Sequence, residues 1–134
     1  MTAILDGIDA TRAARKPIAG GHSIWELVLH VTGWKREVAR RVGGAPAGEP
    51  AAGDWPAVGD PTEARWRAAV DDLGAGHREL IAAVQKLTEA RLYEPTNDPR
   101  NRPLGTGVSY YVLLHGAVQH DVYHAGQIAL LKKT

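Results

Sequence analysis

Between Thr62 and Leu87 the apolar residues Trp66, Val70, Leu73, Leu80, Val84 and Leu87 recur at steps of three and four, and His77 fills the one gap. A chain with this spacing carries a continuous apolar stripe along one side of a helix. The stripe is stable only if another helix covers it. That requirement selects helix-on-helix packing before any other feature is considered.

Two more segments can supply the cover. Ser23-Ile24-Trp25-Glu26 is a capping box: the serine hydroxyl can accept from the Glu26 backbone N–H, and the glutamate can reach back. The helix it opens runs to Gly43-Gly44, a stop signal. The stripe-bearing helix opens at Asp60-Pro61-Thr62-Glu63, with Asp60 as cap, Pro61 in the first helical position and an acid in the first turn. The last helix is expected from about Gly107 to Lys132. It is apolar on most sides, which predicts a central position, and Lys132 and Lys133 suit the negative end of its dipole. The stretches GGAPAGEPAAGDWPAVGDP and YEPTNDPRNRPLGTG are dense in Gly and Pro and read as loops, and no strand pattern is present. Thr2 to Asp9 allow two helical turns before Pro17 and Gly20-Gly21 break the chain. The expected fold is therefore a single all-α domain, residues 1–134: an up-down four-helix bundle whose first helix is short or truncated. Too little cover at the N-terminal end leaves apolar surface on its neighbours, which favours a homodimer.

Bulk chemistry narrows the functions. The chain has 134 residues, a formal net charge of +1 and no cysteine. It therefore has no disulfide, no thiolate ligand and no catalytic thiol. No apolar run spans a membrane and no basic-then-apolar leader is present, so a cytoplasmic protein is expected. Lys35, Arg36, Arg40 and Arg41 form a small basic cluster that a solvated helix face explains. No nucleic-acid partner is expected. The serines Ser23 and Ser109 stand at helix starts, which argues against covalent catalysis by the protein.

The six histidines carry the remaining chemistry. His120 and His124 lie one helical turn apart, on a face shared with Leu113, Ala117 and Leu131, and so point into the bundle. A lone inward histidine is ordinarily satisfied by core partners. Two stacked a turn apart both need partners and point to a metal. The segment His120-Asp121-Val122-Tyr123-His124 resembles the H-E-x-x-H of zinc proteases, but Asp121 is short for the base. Nothing after His124 is a His, Cys, Asp or Glu. Any third ligand must come from upstream. His115 is far around the helix from His120 and is expected to pack or lie on the surface. His22 precedes a cap and is expected in solvent. His77, on the apolar stripe, and His30, inside Trp25-Glu26-Leu27-Val28-Leu29-His30-Val31, both face inward, and periodicity does not choose between them.

SIWELVLHVTGWK together with LLHGAVQHDVYHAGQIALLKK resembles the DinB-like (YfiT-like) metal-binding four-helix bundles, from about Pro17 onward. The specific parts are the helix-embedded His30 followed by Trp34, and the H-x-x-x-H-x-G-Q-I close of the last helix. The resemblance implies a divalent metal, nickel or zinc, on His30, His120 and His124. Family members carry a longer first helix, so either the start lies upstream or a neighbouring subunit covers the gap.

Three neutral imidazoles leave a metal its full charge and an open position, the pattern of catalytic rather than structural sites. Imidazole alone does not choose among the later divalent metals, and the inward Glu residues of a di-iron site are missing. Around this set, Glu26 is engaged in its cap, while Glu37 is free to reach the His30 face, although a solvated charge is the commoner use. Gln127 can orient a ligand or bond a neighbouring helix. Trp34 can wall a pocket or fill core. Gly116, one turn before His120, opens space for substrate or for close helix packing. The resemblance further implies a metal-dependent enzyme of thiol S-transferase or hydrolase type, taking a small-molecule substrate with a low-molecular-weight thiol. The alternative is a non-catalytic metal- or ligand-binding dimeric bundle.

Overall fold

The computed structural model describes residues 2–99 and 108–134 of the chain. Every regular element among them is helical: a 3-10 turn Thr2–Leu5, then α1 Ala10–Ala14, α2 Ile24–Val42, α3 Glu63–Val84, α4 Glu89–Leu92 and α5 Tyr110–Leu131. The protein is all-α over this range.

Local chemistry sets the ends of the long helices. At α2 both halves of the capping box form: Ser23 Oγ accepts from Glu26 N at 3.1 Å, and Glu26 Oε2 accepts from Ser23 N at 2.8 Å. The helix ends at Gly43, and Gly44 turns the chain at φ +96°. α3 is capped by Thr62 rather than Asp60, so Pro61 stands before the cap instead of inside the helix. Both residues can cap, and the Thr62 hydroxyl takes the Arg65 N–H. Ser109 caps α5, and the expected start at Gly107 lies outside the described residues.

The central helix is α2, not α5. Twelve of the 19 residues of α2 are buried, against five of the 22 in α5. α2 packs on α1, α3 and α5, while α5 rests chiefly on α2. An all-round apolar helix is either enclosed or awaiting a partner surface. Here Val118, Val122, Tyr123 and Leu130 stand in the open along α5.

α3 also turns differently from its heptad pattern. Its buried positions are Trp66, Ala69, Leu73, Gly76 and Leu80, one residue before Val70 and His77 in the alternate rows. Small residues occupy the face that meets α2: a Cβ on Gly76 would make ordinary contact, 3.5 Å from both Cγ2 and the carbonyl oxygen of Thr32 on α2, which leaves no room for a long side chain such as that of His77. His77, expected to face inward, is consequently exposed.

The core divides in two. One cluster gathers Trp25, Leu27, Val28 and Val31 of α2 with Trp66 and Leu73 of α3 and Ile128 and Leu131 of α5. The other joins Val38 and Val42 to Leu80 and Leu113. The N-terminal segment closes the first cluster. Leu5, Ile8, Ala10 and Ala13 are buried in it, the Trp66 indole donates to Ile8 O at 2.7 Å, and Lys132 Nζ donates to the carbonyls of Ile4 and Asp6 at 3.1 and 2.6 Å.

The basic cluster of α2 is not a solvated face. Lys35 and Arg41 are buried and paired with Asp121 and Asp98. Arg36 bridges to Asp72 and Glu79 of α3, and Arg40 pairs with Glu37. Each cation of the group meets an acid from its own fold.

Candidate metal centre

Between the two core clusters, α2 and α5 bring three histidines together. His30 Nε2 lies 2.9 Å from His120 Nε2, and His124 Nε2 lies 3.1 Å from the same atom. One ligand atom from each residue falls within a 4.8 Å set. The pair on α5 meets because residues four apart stack on one face. His30 joins them through packing of α2 against α5, across 90 residues of sequence.

The other ring nitrogens fix the tautomers. His30 Nδ1 lies 2.8 Å from the backbone carbonyl of Asp54. A carbonyl only accepts, so Nδ1 carries the proton and the neutral ring presents a lone pair at Nε2. His124 Nδ1 meets Gln127 Oε1 at 2.6 Å, and Gln127 Nε2 is in turn 3.1 Å from the Tyr123 hydroxyl. That chain places the His124 proton on Nδ1 and its lone pair on Nε2 as well. Two lone pairs are thus aimed at the third ring's Nε2. These two spacings are within a few tenths of the about 3.3 Å that separates ligand nitrogens on a tetrahedral zinc, and all three ligand atoms lie within 4.8 Å of one another.

Electrostatics favours the same state. Burial, reinforced by the nearby His124 and His30, pushes His120 down to about 4. Burial also lowers His124, against the opposing hydrogen bond from Gln127. Neutral imidazoles at ordinary pH are the form that ligates a metal. Donor set, tautomers and burial all fit a divalent ion.

The outer wall comes from the loop after α2. Trp55 stacks on His30 with centroids 4.0 Å apart and 10° between planes, and its ring also contacts His22 at 3.5 Å and 2°. His22 is exposed, as expected, with one face of its ring against the loop. Asp54 Oδ1 accepts from the Trp34 indole at 2.7 Å and lies 3.2 Å from His30 Nδ1. Sequence reasoning passed over Asp54 and Trp55 because the stretch reads as a Gly/Pro loop. A large aromatic beside an acid, alone among small residues, was the available signal, since such a ring in a loop has to dock somewhere.

The remaining candidates separate. Trp34 stands edge-on to His30 and His120, at 6.3 Å from each, and lines a cavity that opens beside them. Gln127 holds His124. Glu37 is not brought to this wall: its buried carboxylate accepts from Arg40 Nε and Nη2 at 2.9 and 2.8 Å and from Gly48 N at 2.8 Å, pinning the loop start. His115 is exposed and bonded to Tyr111 O. Gly116 lines the cavity, and a Cβ there would meet nothing within 4 Å. It opens space and is not a helix-packing contact.

The Gln127 bond gives a direct prediction. Gln127→Leu removes the acceptor that orients His124, and partners of this kind typically govern 10–100-fold in metal affinity. Zinc titration with a competing chelator should show a loss of about that size with the helical signal unchanged. A loss below about threefold would mean that Gln127 serves helix structure only.

No curated protein and no solved structure matches the chain. A match to the family described as the DinB superfamily spans residues 1–128, taking in α2 and the two histidines of α5, and so the chain belongs to the DinB superfamily.

Proposed function

We propose that His30, His120 and His124 hold one divalent metal, nickel or zinc, and that the protein is a metal-dependent enzyme acting on a small molecule. The observation that carries this is the pair of outward hydrogen bonds, from His30 to Asp54 and from His124 to Gln127, which leave both Nε2 lone pairs facing His120. Membership of the DinB superfamily supports it. When bound, such an ion would supply a Lewis acid with an open position, able to acidify a water or thiol. The chain's own residues position and exclude. Trp55 and Trp34 shield the histidines, Asp54 and Gln127 hold the rings, and the cavity beside His120 gives a small molecule access.

A chain without cysteine suits a reaction in which the thiol arrives with the substrate, so the first class to test is thiol S-transfer, with amide hydrolysis as the second. Zinc- and nickel-loaded protein should be assayed with common low-molecular-weight thiols plus an electrophile, and with simple amides. Metal-dependent turnover supports the enzyme. Stoichiometric metal with no turnover in either class favours the alternative, a non-catalytic metal- or ligand-binding bundle.

We also infer a homodimer: the N-terminal segment closes the first core cluster and leaves the side of α5 that carries Val118, Val122 and Leu130 open for a second copy, completing an up-down four-helix arrangement. The open side of α5 is the contact, because Val118, Val122 and Leu130 are each more than 60% exposed there. Light scattering should give twice the chain mass of 14.4 kDa, and Val122→Glu should return it to a monomer. A monomeric parent would refute the dimer. No helix among the described residues is long and apolar enough to cross a membrane.

A further inference from the structure

The cavity beside His120 has a volume of about 440 Å³. Its lining changes character along the helices. Near the histidines it meets Lys35, Asp54 and Asp121. Farther along it meets Val38, Leu80, Val112 and Leu113, and Gly116 and Ala117 widen it. His30 and Arg41, which both line it, are eleven residues apart on α2, roughly 16 Å at the rise of an α-helix. The long dimension therefore runs from the metal centre along the second core cluster, whose Val38, Leu80 and Leu113 form its apolar wall.

Two features say what fits. The cations that line the cavity are already matched: Lys35 pairs with Asp121, and Arg41 with Asp98. A charged ligand body would gain no free counter-charge and would lose its hydration against apolar wall. The mouth of the cavity is also kept clear by the sequence. Gly116, exposed and mid-helix in α5, stands where alanine is favoured by roughly 1 kcal/mol, and a Cβ at that point would touch nothing. Neither helix packing nor backbone geometry calls for glycine there, since its φ lies in the ordinary range.

We propose that this cavity takes the uncharged, apolar body of the substrate, an elongated alkyl or aryl moiety, with its reacting polar end at His120. The assignment deepens the metal-centre function and rests on it for the identity of the ligand as substrate. Cavities of this size commonly bury most of a small ligand, with a few polar groups fixing one end.

The test uses N-phenyl-1-naphthylamine, an uncharged apolar fluorophore, titrated into the full chain in zinc-loaded and metal-free forms. The expected result is saturable one-to-one binding in both forms, at least tenfold weaker in Gly116→Leu, with zinc stoichiometry and helical signal unchanged. Ala117→Met is the second filling variant, should the first fail to fold. The sulfonated analogue 1-anilinonaphthalene-8-sulfonate should bind at least tenfold more weakly than the uncharged probe. No saturable binding to the parent overturns the proposal, and so does binding that neither filling variant weakens, because the probe then sits elsewhere. Tighter binding of the sulfonate overturns the assignment to an uncharged body. Zinc binding without probe binding defeats this proposal alone. Probe binding without zinc binding defeats the metal centre and leaves the cavity as a site for apolar ligands.

Discussion

His120→Ala abolishes divalent-metal binding while leaving the helices folded: this is the largest effect expected of any single substitution at the site. His120 Nε2 is the shared vertex, 2.9 Å from His30 and 3.1 Å from His124. Without it, two imidazoles from different helices remain. The loss should exceed the roughly 10–100-fold typical of an outer hydrogen-bond partner. Metal analysis of untagged protein should fall from near one ion per chain to under about a tenth. A ligand present at a hundred times its dissociation constant adds about 2.7 kcal/mol to stability, so the rise in melting temperature on adding zinc should vanish as well. No metal in parent or variant would sink both metal-dependent functions and leave a dimerising bundle.

The same variant separates a pH effect. In the metal-free protein His120 titrates at about 4 when folded, below its ordinary 6.5. As pH falls between those values, the unfolded chain takes up a proton that the folded one resists, so stability declines across that window. The metal-free parent should lose melting temperature from about pH 6.5 toward 4. His120→Ala should lose less. Equal slopes would mean that burial does not hold His120 neutral.

Trp66→Ala is expected to destabilise the fold by about 3–5 kcal/mol, the range for emptying a large buried aromatic site. Trp66 is 3% exposed, and its ring lies 5.3 Å from that of Trp25. Its indole N–H satisfies the Ile8 carbonyl at 2.7 Å. Truncation therefore opens a void and unpairs the N-terminal segment at once. Trp66→Phe keeps most of the ring and loses chiefly the hydrogen bond, about 0.5–1.5 kcal/mol. Urea unfolding of the three proteins measures both. A cost under about 1 kcal/mol for alanine would show that the segment is held mainly by the Lys132 bonds to the Ile4 and Asp6 carbonyls. The effect bears on the site because Trp66 shares its cluster with Ile128 and Leu131, the residues that seat α5 just beyond His124.

The ends of the helices and the pairing of His120 with His124 were legible in the sequence because both depend on neighbours within four residues. Ser23 and Glu26 need nothing beyond their own turn to form a capping box, and Ser109 caps α5 in the same way. A histidine pair four apart shares a face in any α-helix. The Thr62 cap was displaced by two residues only because Asp60 and Thr62 offer the same chemistry.

The tertiary structure decided which faces meet. His30 and His77 had equal claims from periodicity. The close approach of α3 to Thr32 at Gly76 turned His77 outward, and the seating of α5 on α2 put His30 against His120. Likewise α5 is apolar nearly all round, and only the packing shows that it lies at the edge, with a side left open. Asp54 and Trp55 left only the mark of a large ring beside an acid in a loop of small residues, since a docking loop has no period and its contacts exist only once α2 and α5 are in place. By itself the sequence determined an all-α chain, the capped start of α2 at Ser23 and a stacked histidine pair, because those follow from backbone geometry over a single turn. The third histidine, the walls and the cavity follow from packing between residues tens of positions apart, where side-chain volume rather than local propensity selects the arrangement.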